Sequence, residues 1–374
     1  MTMKLLRIIV IFLFFCSVLC VSAKAEDASS ELIKSGGGDE LFSSLPDETR
    51  ELLESTGIDE ISFENVFSVS PKSLLGLVKK LVTGGIEAPT KSLVKLIAVI
   101  ILLSVAECFM PEDGQMKLIS DTVGALFCIV SVISPLTTAI SSAAASIEVS
   151  GDFMLALIPV LAAVITAAGN PTLALSFRSI AFGAAQFISA VSKNCITPIV
   201  GAVLSLDITG ALMPSFRLDS LTELIKKTLT AVLSFAATLF VAFLGIKGAL
   251  ANAADTVASR GIKLAISSAV PVVGGALSEA YSGILGSLVL ARSTVGIFGI
   301  AAIALVNLPS CIQLLFWIFA LRVGSAAGEL FGQNGTAQLL KAIASAITLL
   351  NVVLLFNAVL FIISTALLLL IKAG

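Results

Sequence analysis

Apolar residues arrive from residue 93 onward in runs long enough to cross a bilayer, and polar residues are confined to short interruptions. A span needs roughly 20 apolar residues. The runs at 93–109, 118–145, 153–169, 229–245, 296–321 and 339–371 come near or exceed that length. Two further segments alternate with helical spacing. In 178–192, Ile180, Ala184, Phe187, Ile188 and Val191 face one way and Ser179 and Gln186 another, with Lys193 just beyond. In 254–269, Asp255, Ser259, Lys263 and Ser267 form an i, i+4 polar stripe. This pattern predicts an all-α, polytopic helical membrane protein with about six or seven spans. Pro135, Pro159 and Pro309 fall inside apolar runs, and Pro/Gly-broken or re-entrant helices are expected among the spans, chiefly over 271–292.

The first 90 residues follow a different pattern. Lys4 and Arg7 precede the apolar stretch 8–21, and Ala23-Lys24-Ala25 supplies an A-x-A cleavage site. Residues 1–25 therefore read as a cleaved signal peptide, and residues 26–90 as an exported acidic region. The polar stretch 26–40 is expected to be disordered. A short helix is predicted over 46–54, with Gly57 just past its end. Ser70-Pro71 predicts a second helix start, a cap followed by proline at the first position. The helix it opens, over 72–82, places Leu74, Leu75, Val78, Leu81 and Val82 on one face, with Lys72, Lys79 and Lys80 elsewhere. Gly84-Gly85 is expected to end it. A basic amphipathic helix before a span lies in the membrane interface; a partner-binding face is the other reading. Residues 91–374 form the multi-spanning domain.

Composition sharpens this picture. Hydrophobic residues make up 57% of the chain and charged residues 13%, with a mean hydropathy of +1.06. Soluble chains carry roughly 25% charged residues, so composition points to the same class as the pattern. Net charge is −2 but unevenly spread: residues 26–69 hold twelve acids and two bases. No histidine is present, which removes Ser-His and Cys-His pairs and histidine-ligated zinc. The cysteines show no CxxC spacing, so neither a disulfide framework nor a zinc site is indicated. There is no phosphate loop, dinucleotide fingerprint, HExxH or G-x-S-x-G. No basic-aromatic patch supports nucleic-acid binding. The chain reads as a non-enzyme without a cofactor.

The stretch 261–307 carries the candidate chemistry. It is apolar, yet it holds Pro271, Gly274 and Gly275, the acid Glu279, the base Arg292 and the amide Asn307. A charge in hydrocarbon costs roughly 2.5–3.5 kcal/mol or more, so such residues face protein or a wet cavity. A helix broken by proline and glycine frees backbone groups that must also be satisfied internally. These residues, with Asp255, are the expected polar path or helix break. The alternative is two ordinary helices joined by a Gly-rich turn. Glu279 and Arg292 lie about 20 Å apart along a continuous helix at 1.5 Å per residue, so they pair only if the segment folds back or across subunits. Gly324, Gly328 and Gly332 form a double GxxxG, read either as a close-packing face or as a loop. Residues 198–205 resemble 271–278, through either a duplicated unit or chance likeness of Ala/Val/Gly/Ser-rich segments.

Several of these runs resemble one family. Phe153–Leu161, the Pro271-Val272-Val273-Gly274 core of residues 269–274, Ser278-Glu279-Ala280 and Val295-Gly296-Ile297 are similar to the stage III sporulation protein AE family. The order and spacing of these apolar motifs carry the likeness, which covers most of the chain from about residue 40. It implies a membrane subunit of the mother cell–forespore channel of endospore-forming bacteria, a specialised secretion-like apparatus. This subunit would sit in the mother-cell membrane around the forespore, and its exported segment would face the space between the membranes. Its partners would be the other membrane proteins of that complex and the lipid bilayer; self-association is left open. The family brings no catalytic residues. A secondary transporter with a broken-helix substrate site needs much the same features and is the alternative function. A passive scaffold that lines no pore is the third.

Overall fold

The computed structural model describes residues 33–109, 114–167, 170–191, 197–212, 218–269 and 274–370. Every regular element among them is α-helical. Three short helices come first: α1 (Gly38–Ser43), α2 (Asp47–Thr56) and α3 (Phe63–Phe67). Seven longer ones follow: α4 (Pro71–Glu107), α5 (Gly114–Ala167), α6 (Pro171–Val191), α7 (Thr197–Leu212), α8 (Asp219–Ala269), α9 (Gly274–Leu330) and α10 (Asn334–Leu370).

The local signals act as their chemistry requires. The Ser70 hydroxyl accepts the Lys72 N–H at 3.1 Å and so caps α4, with Pro71 at its first position. Gly57 adopts φ 93° after α2, and Ile58 N–H returns to the Leu53 carbonyl at 3.1 Å. The same left-handed turn closes α9. Gly332 has φ 79°, Gln333 N–H reaches the Gly328 carbonyl at 2.9 Å, and Gly332 N–H reaches Glu329 at 3.3 Å. That is a Schellman motif, which satisfies carbonyls the helix end leaves orphaned.

Among the described residues, five helices are long and apolar enough to cross a membrane: Lys72–Glu107, Thr122–Ala167, Ser220–Phe243, Leu288–Leu330 and Asn334–Ala366. They contain most or all of each of the six predicted runs. The runs 118–145 and 153–169 share α5, because Pro159 and the polar residues between the runs do not interrupt it. Proline inside a membrane helix is tolerated where neighbours re-satisfy the freed carbonyl. α9 has 57 residues, about 85 Å at 1.5 Å per residue. Even at a 40° tilt it would extend well past a hydrocarbon core of about 30 Å.

α9 and α10 form an antiparallel hairpin that runs through both halves of the core. In one half, Phe298 and Ile303 of α9 and Phe361 of α10 pack with Phe153–Ile165 of α5 and Leu173, Phe177 and Ala181 of α6. In the other, Trp317 and Leu314 of α9 and Leu340–Leu354 of α10 pack with Leu96 and Ile100 of α4 and Cys128–Ile147 of α5. A Cβ on Gly328 would meet Ala337 at 3.1 Å, and one on Gly324 would meet Leu340 at 3.2 Å. The predicted GxxxG is thus the close-packing face of the hairpin, with its third glycine as the terminating turn. α8 is the peripheral element. Only 6% of its most apolar stretch is buried, against 67% for α9 and α10.

Two expectations for the N-terminal region change. Of the stretch 26–40, residues 26–32 lie outside the described residues, and 33–40 are packed, with Ile33 and Leu41 buried in the core shared by α5 and α9; Phe42 lies 5.9 Å from Phe298 between ring centroids. The acidic region therefore docks on this chain's own spanning helices. The helix opened at Ser70 does not stop at Gly84-Gly85. It continues through Pro89 to Glu107, so residue 90 lies inside α4. Tertiary packing overrides the helix breakers here: Gly85 lies so close to α9 that a Cβ would meet Ile312 at 3.3 Å. The inward stripe of α4 is Leu77, Leu81, Pro89, Ser92, Leu96 and Ile100, while Leu74 and Leu75 face outward.

Candidate functional site

A polar seam runs between α5 and α9. On α5, Ser142, Ser146 and Ser150 recur every four residues, so they stack on one face. On α9, Asn307, Ser310 and Gln313 recur every three. Ser310 Oγ lies 2.8 Å from Ser146 Oγ and 3.2 Å from Ser142 Oγ. Asn307 Nδ2 donates to Ser150 Oγ at 2.7 Å and to its own helix at Ile303 O, also 2.7 Å. Ser150 Oγ in turn donates to the Ser146 carbonyl at 2.7 Å. The seam becomes drier along α5: Ser142 is exposed, Ser146 half-buried and Ser150 fully buried. α10 adds Asn357, whose Nδ2 reaches the Ile147 carbonyl at 3.4 Å.

Each of these amides keeps one idle acceptor. Asn307 Oδ1 and Asn357 Oδ1 are buried and have no hydrogen-bond partner. A buried unsatisfied acceptor costs roughly 1–3 kcal/mol. The same interior holds further polar groups, among them the unpartnered indole N–H of Trp317. Apolar side chains at Asn307 and Asn357 would remove that cost, so the polar content of the seam is not what stability alone would select.

The wet end of the seam opens into a cavity of about 470 Å³. Ser142, Ser146, Ser310 and Gln313 form its inner wall, and Lys80, Leu81, Gly84 and Gly85 of α4 form its side. Glu48, Thr49, Glu51 and Leu52 of α2 cover it. Leu52 anchors this cover by packing with Leu77 and Leu81 against Leu305, Leu308 and Ile312 of α9. Pro309 also lines the cavity. Having no N–H, it leaves the Leu305 carbonyl without its helical donor, and Pro89 does the same for Gly85. The cavity thus presents hydroxyls and an amide beneath a partly acidic cover.

Of the residues singled out in the sequence whose side chains the structure describes, Asn307 is brought into this seam and Arg292 is not. Arg292 is buried on the same helix, 3% exposed and engaged in a polar interaction. It lies about 22 Å from Asn307 along the axis. Gly274 and Gly275 are the first two residues of α9. From there to Leu330 the helix is uninterrupted, so Glu279 and Arg292 share one continuous helix rather than a fold-back. Pro271 lies outside the described residues, as do the side chains of Asp255 and Glu279. Ser142, Ser146, Ser150 and Ser310 escaped the sequence reading, although the i, i+4, i+8 serine spacing was the available signal.

A second buried polar site was also missed. Asp207 of α7 is 4% exposed and accepts from Lys226 Nζ of α8 at 2.7 Å; Lys226 also donates to Ser345 Oγ of α10 at 3.0 Å. Lys226 is half-buried and serves as a pairing residue between α7, α8 and α10. Among the described residues, no cluster of three or more His, Cys, Asp or Glu could hold a metal ion.

Comparison with known proteins points one way. The family model for stage III sporulation protein AE matches residues 56–372. The stage III sporulation protein AE of Bacillus subtilis (strain 168) is 22% identical over 236 residues, which cover 63% of this chain and 59% of that protein. No solved structure matches this chain.

Proposed function

We propose that this chain, which belongs to the stage III sporulation protein AE family, is a membrane subunit of a mother cell–forespore channel complex needed for endospore formation. In this reading it forms or scaffolds the part of the conduit in the mother-cell membrane. Its partners are the other membrane proteins of the complex, and its N-terminal region faces the space between the two membranes. The observation that supports this reading best is the serine–asparagine seam, which opens into a cavity covered by the acidic α2. A conduit needs a polar route between spanning helices, and an exported segment placed over its mouth is suited to a partner on the far side. The route runs along the α5–α9 contact, and Arg292 is a separate buried polar point on α9.

The first test is localisation. A fluorescent protein is fused to the C-terminus, and cells are imaged during sporulation. Concentration at the membrane engulfing the forespore, with loss of heat-resistant spores on deletion, is the expected result. Even labelling of all cell membranes, with sporulation intact on deletion, would overturn the proposal in favour of a permease.

A further inference from the structure

A second cavity, of about 480 Å³, lies on the outer surface of the α9–α10 hairpin, away from the seam. Its walls are Arg322, Ser325, Ala326 and Glu329 of α9 and Lys341, Ser345 and Thr348 of α10. Two of its three hydroxyls have already committed their hydrogens. Ser325 Oγ donates to the Ala337 carbonyl at 2.9 Å, and Thr348 Oγ1 donates to Ala344 at 2.7 Å. Ser345 differs, because its oxygen accepts from Lys226 Nζ at 3.0 Å. Its own hydrogen therefore stays free, with a cation behind it. Lys341 is held by Glu329 only at 3.7 Å, and both are exposed. Arg322 is exposed and has no carboxylate within ion-pair distance among the described residues. The polar hydrogens left in the cavity belong to Arg322, Lys341 and Ser345, set against the single carboxylate of Glu329.

We infer that this cavity binds the phosphate of an anionic phospholipid headgroup. Position along the helices supports a lipid source. Arg322 follows the apolar run 296–321 directly, and Lys341 lies at the start of the run 339–371. Both bases therefore stand where the hydrocarbon of those spans ends and the headgroup layer begins. Phe319, one turn earlier on the same outward stripe as Arg322, is 63% exposed and offers an apolar surface to the acyl chains. Basic pockets between spanning helices are a recurrent headgroup site. Arg322 supplies planar paired donors, Lys341 a point charge and Ser345 a neutral donor. Glu329 opposes the ligand and releases Lys341 when it binds.

The test uses the full chain in nanodiscs of equal phosphatidylglycerol and phosphatidylcholine, extracted in mild detergent, with retained lipid counted by mass spectrometry. Wild type is expected to retain phosphatidylglycerol preferentially. The R322Q/K341Q variant is expected to lose about thirtyfold of that preference, as two bases near an anionic surface supply. The variant K227Q, altered on α8, is expected to keep it. E329Q is expected to raise the preference roughly fivefold, since it removes one opposing charge. A gain of this kind cannot arise from misfolding. Equal retention of the two lipids by wild type, or no gain in E329Q, would overturn the inference. Inorganic phosphate alone raising the melting temperature of lipid-free wild type, but not of R322Q/K341Q, would reassign the cavity to free phosphate.

Discussion

Replacing Asn307 by leucine separates a functional seam from a structural one. The substitution removes two hydrogen bonds, to Ser150 Oγ and to the Ile303 carbonyl, each 2.7 Å long. The bond to Ser150 crosses between helices, where such bonds average about 0.6 kcal/mol, and the intrahelical bond to Ile303 contributes about 0.5–1.5 kcal/mol, so this loss is about 1–2 kcal/mol. The substitution also removes the buried, unpartnered Oδ1, which relieves roughly 1–3 kcal/mol. Ser150 stays satisfied, because its hydroxyl still donates to the Ser146 carbonyl. The two effects nearly cancel, and the melting temperature in detergent should move by a few degrees at most. Heat-resistant spore counts should nevertheless fall well below wild type at equal protein level, since the dry end of the seam loses its amide. Wild-type spore counts with N307L would refute the polar-route argument. A collapse in stability would show that the amide is structural and refute the energetic reasoning as well.

Three further outcomes follow from the geometry. Cysteine placed at Ser142, Ser146 and Ser150 in a background without the native thiols should react with a membrane-impermeant reagent in that descending order; equal protection at all three would argue against a route entered from the cavity. Removing one partner of the buried Asp207–Lys226 pair should cost about 3 kcal/mol or more, whereas D207N/K226M together should restore most of it, as a double-mutant cycle in thermal melts would read out. Gly328→Val should cost about 1–3 kcal/mol, because a Cβ there already meets the Ala337 backbone at 3.3 Å. A melting temperature unchanged from wild type would mean that the hairpin packs less tightly than described.

Much of the fold was readable along the chain, because each readable feature depends on neighbours in sequence. The apolar runs, the Ser70-Pro71 helix start and the Gly57 stop are local signals, and all three appear where expected. The Gly324/Gly328/Gly332 spacing was readable as a motif but not in its role. Only the hairpin shows two of these glycines packing on α10 and the third turning the chain. The α4 reading failed for the converse reason. Gly84-Gly85 and Pro89 are local helix breakers, and the close approach of α9 outweighs them. Charges in apolar surroundings, such as Glu279 and Arg292, are the conspicuous polar signal along the chain. The seam is built from serines, which are common in such segments and stand out only when a second helix places Asn307 and Ser310 opposite them.

Hydropathy, capping and motif order are properties of contiguous residues, so an all-helical chain with runs of membrane-spanning length, its clearest helix start and its family likeness could all be read along the chain. Tertiary structure alone decided the pairings. It set Ser150 against Asn307, Asp207 against Lys226, Arg322 beside Lys341, and the acidic α2 over a cavity at the head of the seam. Each of these brings together residues from different helices, and in an interior as apolar as that around Ser150 and Asp207 a polar contact forms only where packing brings a second polar group within reach.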